Sequence, residues 1–271
     1  MPLKIRINSR YALAGVSRFL GLLIFFCASF CVGYGQSASG QPSGLAYAAD
    51  KNNVPDAIAR IQSGQFSLVH VELIAEAHAV QAIPALKEQF ASKQDSITRM
   101  KIAGALVRLG ADDQAYWDFL VQQATIAVQS PEPRLFDDQG NVAPKQLSPA
   151  FLDWAKANNV SPDPVYILPM RVRLLGETGD TRAIPVLRQG LQSPNYFIQA
   201  AAARGLADVQ DKDSIPFIIA ACQRGPSEAA AAIAQPLVYF DDPRAQDALD
   251  TYVPEETVKV LRAAKAQGMK P

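Results

Sequence analysis

The chain has 271 residues, 49% of them hydrophobic, with 26 basic and 26 acidic side chains giving a formal net charge of zero. That is enough apolar material to build a core in one or two domains, and the absence of basic runs argues against nucleic acid as a partner. Few aromatics and frequent Ala point to helices packed closely through small side chains.

Residues 1–18 carry Lys4, Arg6, Arg10 and Arg18 and no acid, and Phe19 to Val32 then runs without a charge. Small polar residues follow from Gly33 to Gly44. This order predicts a secretory signal peptide over residues 1–35, with Gly33 and Gly35 placed for a cut before Gln36. Ala46-Tyr47-Ala48 offers a second cut. The alternative is an uncleaved N-terminal membrane anchor, although the apolar run is shorter than the roughly 20 residues a span needs. Lipid attachment at Cys27 or Cys31 is disfavoured by bulky Phe26 and Phe30 before them.

Cleavage takes away four basic residues, leaving 22 against 26 acidic ones, and leaves Cys222 as the single cysteine. A lone cysteine forms no intramolecular disulfide and reads as a buried, inert side chain. Export without a disulfide fits a periplasmic or secreted bacterial envelope protein. Residues 36–53 are rich in Ser, Gly and Ala and read as a flexible linker.

From Pro55 onward the pattern is helical. Phe66 to Ala77 continues at helical spacing, and Ala82-Ile83-Pro84-Ala85-Leu86 follows it. The same Ile-Pro element returns as Ile184-Pro185 and Ile215-Pro216. These last two lie 31 residues apart, as do Asp180, Asp211 and Asp242, and also Leu187, Ile218 and Leu249. Leu175, Leu206 and Leu237 make a further column. Thr98–Gly110 resembles Ile198–Gln210 at a shift of 100. Each unit thus reads as two helices, the first carrying Ile-Pro and the second rich in Ala. Such a pair cannot bury its apolar face alone and needs its neighbours. Asp242-Pro243 is an N-cap followed by Pro at the first helical position, and alignment predicts the same cap at Asp180 and Asp211.

Gly179 to Leu187 followed by Ile198 to Leu206 resembles the HEAT repeat, in the short variant named after the phycobilisome lyases. The resemblance covers 165–250 and extends to 66–124. It implies an all-α chain, an α-α superhelix of about six helix pairs over 54–267, acting as a scaffold or adaptor for another protein. One Pro-rich insertion interrupts the array at about 127–163, where Pro131, Pro133, Pro144, Pro149, Pro162 and Pro164 break helices. Ser148-Pro149 predicts one short helix carrying Phe151, Leu152 and Trp154, expected to pack back on the solenoid.

Arg173 and Arg204 share one column of the second helices, which line the concave face in HEAT arrays. They could grip an acidic or phosphate-bearing ligand, or pair with Glu177 and Asp208. Trp154, with Phe151 and Leu152, reads either as a partner-binding knob or as core. The Asp column is explained by capping, and Asp137 to Asn141 by a turn rather than a calcium loop. His70 and His78 are the only histidines, eight residues apart on what reads as one helix face, with no cysteine nearby to complete a metal site. Neither a metal nor a cofactor is expected. The His-Glu pairs of the HEAT-like di-iron deoxyhypusine hydroxylases are missing, and no phosphate-binding glycine loop is present. The expected function is a non-catalytic protein-binding scaffold. The alternative is a bilin-lyase-like or other enzyme using a concave pocket.

Overall fold

The computed structural model describes residues 50–93, 95–111, 114–131, 148–160 and 164–270, the side chains of 164–166 excepted. The expected signal peptide over 1–35, most of the linker and the 137–141 turn lie outside the described residues. The described residues form an all-helical chain of thirteen α-helices joined by short 3-10 turns, without a strand.

In chain order the helices are α1 (Val54–Gln62), α2 (Leu68–Glu76), α3 (Ile83–Ser92), α4 (Ser96–Arg108) and α5 (Gln114–Val128). Then come α6 (Pro149–Ala157), α7 (Pro164–Gly176), α8 (Ile184–Gly190) and α9 (Tyr196–Asp208). The last four are α10 (Ile215–Cys222), α11 (Ser227–Ala234), α12 (Pro243–Tyr252) and α13 (Glu255–Ala266). They pack as six pairs: α1 with α2, α3 with α4, α5 with α7, α8 with α9, α10 with α11, and α12 with α13. The insertion, with α6, therefore falls between the two helices of the third pair.

Local rules explain the shared start of the first helices. At α3, α8 and α10 a 3-10 turn comes first, and the Ile-Pro element opens the α-helix with Pro in its first turn. There its missing N–H costs no hydrogen bond and its fixed φ suits the helix. The second helices α4 and α9 start and stop 100 residues apart, as the sequence shift requires. Both end in a reversal in which a left-handed residue, Gly110 (φ 74°) or Gln210 (φ 55°), turns the chain. The next amide then bonds back to Leu106 or Leu206.

Leu86, Leu187, Ile218 and Leu249 on the first helices are fully buried, as are Leu175, Leu206 and Leu237 on the second-helix side. Each such burial stabilises by about 1.5–3 kcal/mol. Where α7 crosses α9 the backbones touch: a Cβ on Gly176 would stand 2.3 Å from the Cα of Gly205. Leu237 departs from its column in form only, because Pro236 turns the end of the fifth pair into the 3-10 segment Gln235–Tyr239.

Three expectations need correction. Asp180 caps its turn by accepting from the Arg182 amide (2.9 Å), and Asp242 accepts from Arg244 (2.9 Å), but Asp211 makes no capping bond. Its carboxylate is taken instead by Arg188 of the preceding unit (2.8 Å) and by the Ser214 hydroxyl. His70 and His78 do not share a helix, since α2 ends at Glu76. His78 sits just beyond with φ 51°, in the same helix-stopping role as Gly110 and Gln210, while His70 Nδ1 accepts from the Ser67 amide (2.9 Å). Finally, α5 runs through residues 127 and 128, and Pro164 opens α7 rather than breaking it.

The predicted helix at Ser148-Pro149 is α6, with the Ser148 hydroxyl accepting from the Phe151 amide (3.2 Å). Phe151 is buried in the core and Trp154 packs beside it, ring centroids 5.5 Å apart, but Leu152 faces solvent.

Candidate functional site

The second helices α2, α4, α7, α9 and α11 touch one another in sequence, more closely than the first helices do. A row in closer contact lies on the inside of a curve. Lys270, after α13, meets Glu76 on α2 across this row at 2.8 Å, which joins the last unit to the first. The second helices are thus the inner, concave layer.

Eight charged side chains of alternating sign run along that layer in one connected chain. Lys270 pairs with Glu76, Glu76 with Arg108, and Arg108 with Glu72 (2.9 Å). Glu72 pairs with Lys101, Lys101 with Glu177 (2.8 Å), Glu177 with Arg173 (3.2 Å) and Arg173 with Asp208 (2.6 Å). Arg204, one turn before Asp208 on α9, adds its attraction to that carboxylate. Arg173 and Arg204 therefore share the inner layer, with Arg173 held between Glu177 and Asp208. Trp154 lies apart from them on α6, half-buried against the core.

Environment sets the protonation of this chain. Burial pushes the Glu72 carboxyl up, but the nearby Lys101 and Arg108 outweigh it and hold its pKa down to about 2. Burial likewise disfavours the Lys101 ammonium, and Glu177 with Glu72 more than restores it. Asp208 goes the other way. Its burial outweighs the pull of Arg173, Glu177 adds repulsion, and its pKa rises to about 6.

A shift of 100 aligns Gly104 with Arg204, so in the second unit the arginine of this column is replaced by glycine. The space it leaves is a recess of about 10 Å³ lined by Glu72, Lys101, Gly104, Arg108, Glu177 and Thr178 among others. That is room for about one water. An open groove of about 600 Å³ lies near α12 and α13, lined by Asp241, Asp242, Arg262 and Lys265 among others. Its carboxylates are paired, Asp241 with Lys265 (2.8 Å) and Asp242 with Arg244 (2.8 Å). The Arg244 hydrogen bond holds the Asp242 pKa to about 2. Among the described residues no group of three or more His, Cys, Asp or Glu side chains is placed to hold a metal ion. Burial raises the Cys222 thiol to about 12, so it is inert at neutral pH. No helix of the described residues is long and apolar enough to cross a membrane.

Glu72, Glu76, Lys101 and Arg108 escaped the sequence reading. The 31-residue column of Glu177 with Asp208 was open to it, whereas Lys101 meets Glu177 from 76 residues away, across the insertion.

The family model described as HEAT repeats matches residues 170–237, which span α7 from Met170 through α11. No curated protein matches the chain, and no solved structure does. HEAT repeats commonly mediate contact between proteins and are generally non-enzymatic. With its paired helices and its inner row, the described chain is an all-α helical array, and its segment 170–237 is similar to HEAT repeats.

Proposed function

We propose that the chain is a non-catalytic scaffold that holds another protein along its inner row of second helices, in a bacterial cell envelope. The observation that carries this reading is the charged chain from Lys270 to Asp208, whose side chains are already fixed by one another. A partner meeting such a surface finds groups that need little further ordering, which lowers the entropic cost of binding. Alternating sign along the row favours a partner with complementary alternating charge and disfavours a uniformly basic or acidic one. The envelope location rests on the basic, apolar and small-residue order of residues 1–35. Arg173, Arg204 and, at the insertion, Trp154 are the side chains assigned to the contact.

Affinity capture after crosslinking in the native envelope tests this reading. Wild-type protein is expected to retain a specific protein, and Arg204→Glu, which puts a like charge beside Asp208, to lose it. Retention unchanged in that variant removes Arg204 from the contact. Turnover of a small molecule by the purified chain, with no protein captured, overturns the scaffold itself.

A further inference from the structure

The fully buried side of the second helices holds one residue that breaks its own pattern. Arg171, Ala202 and Ile233 stand 31 residues apart on α7, α9 and α11, and Ile102 on α4 stands 100 before Ala202. Ile102, Ala202 and Ile233 are wholly buried apolar side chains. Arg171 is 2% exposed, in the position the array reserves for core. Leu168, Val172 and Leu175, all fully buried, surround it on the same helix face. Arg173, two residues on, points to the opposite side of α7 into the inner row.

Arg171 has one hydrogen bond, from Nη2 to the Ser96 hydroxyl (3.1 Å). Its Nε and Nη1, with three N–H donors between them, have no acceptor. Burial lowers its pKa and no carboxylate opposes that effect. A guanidinium stays charged in proteins, so a full positive charge lies in the core with a single hydroxyl to answer it. The carboxylate nearest along α4, Asp95, accepts instead from the Thr98 amide (2.7 Å). Arg99, one turn after Ser96, does not help, since it is itself a cation stacked over Phe90 and Phe119, with a buried Nε lacking an acceptor. In the inner row, by contrast, each charge of the chain from Lys270 to Asp208 has an opposite charge beside it. A core position that breaks the local rule in this way, in the unit split by the insertion, is the kind of departure expected at a functional or strained site.

We propose that Arg171 anchors a binding site for a single carboxylate group, reached past the partly exposed Ser96 and Arg99 at the N-terminal end of α4. A monoanion cancels the one buried charge, and its two oxygens accept from the free N–H donors in the planar geometry a guanidinium prefers. A dianion would leave charge over in the same low-dielectric place. The carboxylate belongs either to a small molecule or to an acidic side chain of a bound protein.

Thermal unfolding of the full chain at neutral pH, in sodium acetate and in sodium chloride of equal ionic strength, tests the site. Wild type is expected to gain about 2–4 °C in Tm in acetate over chloride, and Arg171→Met to gain nothing. Equal melting of wild type in the two salts overturns the proposal, whether or not the variant folds. An undiminished acetate gain in Arg171→Met, or in Arg171→Gln should the first not fold, overturns it as well. A blocked Gly-Glu-Gly peptide against its Gly-Gln-Gly counterpart separates the sources. A gain from both acetate and the Glu peptide marks a protein side chain, and a gain from acetate alone marks a small carboxylate.

Discussion

Acid–base pairs occur in two regions of this molecule at nearly the same distances, yet in different surroundings. In the inner row Lys101 and Arg108 are 15% and 16% exposed, and each bridges two carboxylates. At the starts of the first-helix units, Arg182 and Arg244 are 51% and 55% exposed, and each serves one aspartate two residues before it. Solvent screens the outer pairs, and their strength lies in the aspartate's bond to the backbone. The inner charges have given up water, so each depends on its neighbours. A distance alone does not say what an ion pair is worth.

Removing one inner charge gives the largest contrast. Lys101→Met leaves Glu72 and Glu177 facing the recess with less compensation, and the urea midpoint should fall by the equivalent of about 3–5 kcal/mol. The pH profile comes next. Folded Asp208 keeps its proton to about pH 6, against roughly 4 when unfolded, so the folded state binds more protons in that window and stability declines as pH rises through it. Glu72 has the opposite sign: its contribution is present above its unfolded value and is lost as pH falls toward about 2. On these two shifts stability should therefore peak near pH 4, and Asp208→Asn should remove about 1–3 kcal/mol of the decline between pH 4 and 6. Denaturant melts across that range check it.

The outer region should respond less. Asp180→Ala gives up a cap and should cost about 1 kcal/mol, while Arg244→Ala should leave the urea midpoint where it is. Smallest, and of opposite sign, is His78→Gly. It relieves a left-handed residue at the end of α2 and should stabilise by up to about 1 kcal/mol.

The array itself was legible from the chain. A period of 31 named the Leu columns that are buried and the Ile-Pro element that opens the first helices, because both follow from local rules repeated in each unit. Asp211 defeated the same logic, since its alignment with Asp180 could not reveal Arg188 reaching from the unit before. Helical spacing from His70 puts His78 on a helix face, but its distance of 32 from Gly110 marks the helix-stopping position. The inner chain was half visible: Glu177 with Asp208 and Arg173 with Arg204 lie in period, but Glu72 and Lys101 lie before the insertion, which breaks their register with Glu177 and Arg173. Arg171 was within reach, since continuing its column to Ala202 and Ile233 sets an arginine among core residues.

Amide hydrogen exchange with the captured protein partner bound tests the central claim most directly. Protection added along α2, α4, α7 and α9, with α3, α8 and α10 unchanged, is the result expected of a scaffold that holds its partner on the inner row. Protection confined to the first helices, with the second helices unaffected, contradicts it.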